Sequence, residues 1–384
     1  MAKSAQNKIQ RQPFLPLWVI VIGSGVAAAI ALYPLFGKAY IVALLGKFLC
    51  YAIFALSIDL IWGFAGILSL GQAVYFGTGA YFVALSLKIS YATEHPTRYG
   101  GNIPDFMEWN GLTEVPGFMQ PLIHLPFAVA CALIIPTLLA FIFGVITFKR
   151  HIYGVYCAVI TLAESIILQD FIIEYQAYTG GFNGITDFGH YSSTYFLWFI
   201  LAITVLCFLV GRLLTHSRVG TILKSVRDND VRAEFLGYNV ANYRIFVFCF
   251  SAFLAATAGA MYGAWVGLVS FLDTGPVFSI EAVIWTAVGG RGTIIGAFVG
   301  TFLVNGAAFF LSGVLADFWQ LIMGGLFIFV VLVMRDGIVG TLAKWLRRRR
   351  DGTISQMVEE SDRQAADRQR DFQSGGGTKE PEEI

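Results

Sequence analysis

The sequence predicts an all-α polytopic membrane protein with about ten transmembrane helices, and three observations predict it. First, of 384 residues, 57% are hydrophobic and 13% are charged, and the mean hydropathy is +0.68. That charge share is about half of what a soluble protein carries. A soluble domain of this size has too little interior to bury so much apolar surface. Second, the apolar residues form continuous runs without alternation, and in lipid such runs satisfy their backbone as helices. Third, the basic residues gather between the runs on one side, as the positive-inside rule expects. A disordered chain and an ordinary cytosolic enzyme are excluded. A net charge of +1 points to no nucleic-acid role.

The expected spans, in order, are 15–35, 41–62, 68–88, 122–147, 152–174, 194–214, 244–270, 278–290, 294–313 and 317–334. The first is long enough to cross and lacks a signal-peptide cleavage site. Basic clusters lie at Lys3, Lys8 and Arg11, at Lys149 and Arg150, from Arg212 to Arg244, and from Arg335 to Arg350. Ten crossings place all of them in the cytoplasm together with both termini. The opposite side receives the outer loop 89–121, rich in Glu94, Asp105, Glu108 and Glu114, and the loops 175–193 and 271–277, which lack Lys and Arg. The weak member is 278–290, which reaches about 20 Å against a core of roughly 30 Å. Either it borrows length from Pro276 onward, or it is broken or re-entrant. In the second case 68–88, opening with Ser69, Gly71 and Gln72, must also fail to cross. Residues 1–14 are then a cytoplasmic N-terminus, 15–335 the membrane domain, and 336–384 a largely disordered cytoplasmic tail.

Catalysis finds little support. The five Cys and five His fall into no metal-ligand spacing, and no P-loop or paired-carboxylate loop occurs. No cofactor or metal is expected. Glu164 lies mid-span, where a carboxylate must be paired, protonated or facing water. A buried structural hydrogen bond and a place on a solute path both remain open for it. Asp59 reads as interfacial, and Glu281 as facing a cavity if 278–290 lies deep. Gly292, Gly296 and Gly300 form a small-residue stripe for close helix contact. The cytoplasmic loop 215–243 mixes both charge signs, and 221–236 reads as one amphipathic helix stopped by Gly237. It either docks on a partner or lies on the membrane surface.

Several stretches in one order carry a resemblance. They are Gly63–Gln72 with Gly77–Tyr81, Thr179–Ile185, Arg227–Asp230 with Ala233–Gly237, and Gly289–Gly296. Across about residues 40–335 the chain resembles the permease subunits of branched-chain amino-acid-type ABC importers, in the M-type subgroup. Within that group it is most similar to the C-type permease of urea transporters, through Gly101–Met107, Trp109–Gly111 and Tyr178–Phe188. The resemblance implies a second homologous permease, two cytoplasmic ATP-binding subunits and a periplasmic solute-binding protein, all at a bacterial inner membrane. It implies that this chain hydrolyses no ATP itself. The 215–243 loop becomes the ATPase coupling loop, with Arg227, Asp228, Arg232, Glu234 and Gly237 as its residues. Ala233, Glu234 and Gly237 match the EAA---G pattern of importers in part, since the downstream I-x-L-P is absent. A neutral polar solute such as urea needs hydrogen-bonding groups along its path, for which Gln72, Glu164 and Asn305 are the candidates. The competing readings are a permease for branched-chain or other amino acids or short amides, and a stand-alone secondary transporter or channel.

Overall fold

The computed structural model describes residues 28–35, 38–94, 103–189, 191, 193–312, 321–322, 324–325, 328 and 337–341. Most of the expected spans 15–35 and 317–334 and most of the tail lie outside the described residues. Helix α1 (Ala39–Ile58) runs into a π-helical turn, Asp59–Phe64. Helix α2 (Ala73–Glu94) and a short outer helix α3 (Asp105–Trp109) follow. Then come α4 (Leu125–Phe148), α5 (Val155–Glu174) and α6 (Thr194–His216). The loop 215–243 forms α7 (Arg218–Asp228) and α8 (Asp230–Phe235). Helices α9 (Val240–Val266), α10 (Pro276–Gly289) and α11 (Ile294–Ser312) complete the described bundle. Seven of these helices are long and apolar enough to cross a membrane, and α10 is a shorter apolar one.

Helices α1, α2 and α9 make the centre. Their most apolar windows are 67%, 83% and 67% buried, against 22% for α4. Glycine lets the central helices touch. A Cβ on Gly259 would strike the Phe76 carbonyl, and one on Gly79 the Ala256 carbonyl. Such backbone contact is how membrane helices gain packing energy without a hydrophobic force between them. The outer helices instead leave Ile134, Leu138, Phe141, Ile167 and Leu206 exposed, which is the surface that lipid covers.

The break in the helical pattern sits elsewhere than at 278–290. Helix α10 is continuous, starts with Pro276 at its first turn and ends at Gly289, so it does borrow length on the N-terminal side. The expected span 68–88 begins instead at Ala73, and residues 65–72 are non-helical. Gly66, at φ +75°, turns the chain out of the π-helical end. Non-helical backbone persists at membrane depth where protein surrounds it. Here Leu70 N–H donates to Thr161 Oγ1 at 3.0 Å and Ala73 N–H to Ser279 Oγ at 2.8 Å. Side chains of α5 and α10 thus replace the missing helical acceptors.

The basic loops meet at one end of the bundle, called inner below. Arg227 reaches Gly63, Arg291 reaches Trp62, and Arg244 of α9 stacks over Tyr153. The opposite end is tied by Lys88, which pairs with Asp105 at 2.6 Å and donates to the Thr186 carbonyl at 2.8 Å.

Candidate functional site

The inner junction is built on the π-helical turn. A wider helical turn leaves carbonyls without their usual i+4 donor. The Gly63 carbonyl accepts from Arg227 Nη1 at 2.6 Å, and the Trp62 carbonyl from Arg291 Nε at 3.3 Å. Arg291 also lies over the Trp62 ring at 4.8 Å, and Lys224 over Phe64 at 5.3 Å. Burial pulls the Arg291 pKa down, Arg227 adds to that, and Asp59 opposes it. Asp59, at the inner end of α1, is fully buried within the protein, and its Oδ1 accepts from Gly292 N–H at 2.6 Å. A Cβ on Gly63 would strike Gly292. Gly292 therefore serves this turn, while Gly296 and Gly300 do pack α11 on α10, against Gly289 and the Trp285 carbonyl.

The loop 215–243 is two helices where one was expected over 221–236. Asn229 ends α7 and caps α8, its Oδ1 accepting from Arg232 N–H at 2.9 Å. Gly237 does end the second helix. It is left-handed at φ +87°, with Gly237 N–H donating to Glu234 O and Tyr238 N–H to Ala233 O, a Schellman arrangement. Val226, Ala233 and Val240 form a small core beneath, and Asp230 pairs with Arg244 at 3.4 Å. Arg227 faces the bundle and also holds Asp228 at 3.0 Å. Arg232 and Glu234 point to solvent. Sequence reasoning missed the apolar tip, where Val231, Phe235 and Leu236 are exposed, Phe235 at 87%. Its signal was an apolar pair inside a charged loop.

A second polar region runs beside the non-helical segment. Gln72 is fully buried, and its Nε2 donates to Ser251 Oγ at 2.7 Å, which donates to the Ser57 carbonyl at 2.6 Å. Gln72 Oε1 has no hydrogen-bond partner among the described residues. One turn on, Tyr75 OH donates to both Glu164 oxygens, at 3.1 and 3.2 Å. Gln72 and Glu164 thus flank one face of α2. Asn305 does not join them. It lies on α11, and its amide donates to Thr301 O of the same helix at 2.9 Å.

Comparison with known proteins gives remote relatives among permeases. The chain is 30% identical over 164 residues to the autoinducer 2 import system permease LsrC of Klebsiella pneumoniae, covering 39% of this chain and 44% of that one. It is 26% identical over 240 residues to the ribose import permease RbsC of Haemophilus influenzae, covering 57% and 71%. It is 24% identical over 271 residues to the probable branched-chain amino acid transport permease LivM of Methanocaldococcus jannaschii, covering 65% and 75%. The chain thus spans under half of the first of these and about three quarters of the others. No solved structure matches. The family described as the permease component of branched-chain amino acid transport systems matches residues 40–331, and the chain belongs to that family.

Proposed function

We propose that this chain is the membrane-spanning permease of an ATP-driven importer, forming with a homologous permease the path for urea delivered by a periplasmic binding protein. The observation that carries the transport reading is the inner loop. Val231, Phe235 and Leu236 stand exposed on a capped helix pair, while Arg227 behind them grips the end of α1. An apolar tip suits a cytoplasmic ATP-binding subunit, and the arginine conveys its movement to the bundle. Energy then enters from the partner subunits, in keeping with the lack of a P-loop here.

Urea is supported by the resemblance at 101–111 and 178–188 and by the chemistry beside the break. Gln72, Ser251, Tyr75 and Glu164 offer donors and acceptors to a neutral polar solute. The relatives named for branched-chain amino acids favour a second reading, an amino-acid permease of the same machine. Coexpression with the three partner types and measurement of radiolabelled urea and leucine uptake separates them. Urea uptake that stops without the ATP-binding subunits is expected. Uptake persisting without them would sink the importer reading, and uptake of leucine alone would replace the substrate. Glu164→Gln with unchanged urea uptake at normal protein level would remove Glu164 from the path.

A further inference from the structure

Arg244, in the second turn of α9, is a buried charge whose partners lie on two other elements. Its side chain is 8% exposed, and its Nη2 lies 3.4 Å from Asp230 Oδ2 of α8. Its guanidinium carbon lies 3.8 Å from the centroid of the Tyr153 ring, a close cation–π contact shielded from water. Nε and Nη1 are buried and have no hydrogen-bond partner among the described residues. A buried guanidinium with two unsatisfied nitrogens is costly, and an apolar side chain would fill the place at less cost. Packing alone does not call for an arginine here.

Tyr153 is itself anchored. Its hydroxyl lies 2.9 Å from His151 Nδ1. The turn that carries it closes on α4 through His151 N–H to Phe148 O and Ile152 N–H to Thr147 O, both at 3.2 Å. Two residues later α5 begins at Val155. Helix α5 then supplies Thr161 Oγ1 to Leu70 N–H and Glu164 to the Tyr75 hydroxyl. On the other side of Arg244, Asp230 opens α8, whose end carries the exposed Phe235 and Leu236. A line of contacts thus runs from the loop tip through Asp230, Arg244 and Tyr153 to α5.

We propose that Arg244 is a positioning residue that ties the loop 215–243 to the start of α5, so that the loop moves α5 as well as α1. The proposal rests on the importer reading. Arg227 makes the first hold, on the Gly63 carbonyl at the end of α1. Arg244 makes the second, on the turn before α5. The two holds flank residues 65–72, since α1 leads into that stretch and Thr161 of α5 binds Leu70 within it. A loop displacement then shifts α5 against α2 and acts on the Tyr75–Glu164 contact. The unpartnered Nε and Nη1 let Arg244 change partners as α8 moves, because no hydrogen bond to them has to break.

The test uses the full complex of this chain, its homologous permease, the ATP-binding subunits and the binding protein in proteoliposomes, with labelled urea and labelled leucine as probes. Two quantities are read: solute taken up per ATP hydrolysed, and hydrogen exchange of residues 149–160 with and without ATP. Arg244→Met is expected to lower the uptake ratio about tenfold and to abolish the ATP-dependent change in exchange. Tyr153→Leu should lower the ratio about fivefold, whereas Tyr153→Phe, which keeps the ring, stays within about twofold of wild type. Arg244→Met combined with Tyr153→Leu should do no more harm than Arg244→Met alone, since both break one contact. Arg227→Met should keep the exchange change at 149–160, because it releases α1 and not α5. Copurification of all subunits checks assembly. A ratio and an exchange change equal to wild type in Arg244→Met overturn the tie. So do effects of the two single variants that multiply in the double variant. If Arg244→Met fails to assemble, a wild-type ratio in Tyr153→Leu overturns it. If neither solute is taken up, the exchange readout alone decides. Uptake by the wild-type complex that needs no ATP overturns the importer reading itself, and the unmutated protein alone reveals it.

Discussion

Replacing Arg227 by Met should uncouple ATP hydrolysis from uptake. The side chain makes two kinds of contact. One is the 2.6 Å bond from Nη1 to the Gly63 carbonyl, and the other is the pair with Asp228 at 3.0 Å. The Arg227 and Asp228 side chains are 33% and 68% exposed. An exposed pair of this kind contributes about 0–1 kcal/mol. A hydrogen bond from a charged donor contributes about 1.5–3 kcal/mol, and the partial exposure of Arg227 puts it at the lower end. About 1.5 kcal/mol corresponds to roughly a tenfold change in the equilibrium between docked and undocked loop. Methionine keeps the stem that packs on Gly66, so helix α7 should still form. The assay is solute taken up per ATP hydrolysed in proteoliposomes. Arg227→Met should lower this ratio about tenfold, and Asp228→Asn, which keeps the Gly63 bond, by no more than about fivefold. Equal ratios in Arg227→Met and wild type would refute the idea that this bond links the loop to the bundle.

Further outcomes follow from the same geometry. Gly300→Ala puts a methyl into the Trp285 carbonyl and should block folding, seen as loss of monodisperse protein, while Gly306→Ala, with open space on the same helix, should express normally. Tyr75→Phe leaves the half-buried Glu164 carboxyl without its donor and should lower stability by about 1 kcal/mol in a thermal-shift assay. The double variant Tyr75→Phe with Glu164→Leu should be more stable than Tyr75→Phe alone, because no unpaired polar group remains. Gly237→Val forces a branched residue into a left-handed turn, costing about 1–2 kcal/mol, and should expose the 229–239 loop to proteolysis. Phe235→Ser should weaken capture of the ATP-binding subunits without changing the melting of the membrane domain, since Phe235 touches solvent.

The sequence carried what local chemistry and composition encode. Runs of apolar residues marked the spans to within a few positions, as 122–147 against Leu125–Phe148 shows. Gly237 was readable as a stop because a left-handed residue after a helix favours glycine. The split at Asn229 was less visible, since the charges on both sides suit one amphipathic helix equally well. The non-helical stretch before Ala73 depends on Thr161 and Ser279, which lie 91 and 206 positions away from the groups they satisfy. No local pattern reports such pairings. The same holds for Asp59, whose partner Gly292 is 233 positions distant. Lys47 drew no notice because one lysine hardly alters an apolar run, although it lies over the Tyr51 ring with no ion pair among the described residues.

The break and the loop 215–243 explain each other. An α1 that ran on as a regular helix into α2 would use the Gly63 carbonyl for its own ladder, and Arg227 would find nothing to hold. The π-helical turn and the departure at Gly66 free that carbonyl. Asp59 then needs a donor, and Gly292 supplies one because neither it nor Gly63 carries a side chain between them. The loop therefore grips the α1 end at the π-helical turn, just before the non-helical stretch 65–72. A displacement there strains residues 65–72 before it strains any complete helix, because that stretch has no helical ladder and is held by scattered bonds such as Ile67 N–H to Ile61 O and Leu70 N–H to Thr161 Oγ1. Gln72 ends that stretch and Tyr75 follows it on α2. Under the proposed function, a movement of Arg227 would reach Gln72 and Tyr75 over a path of a few residues.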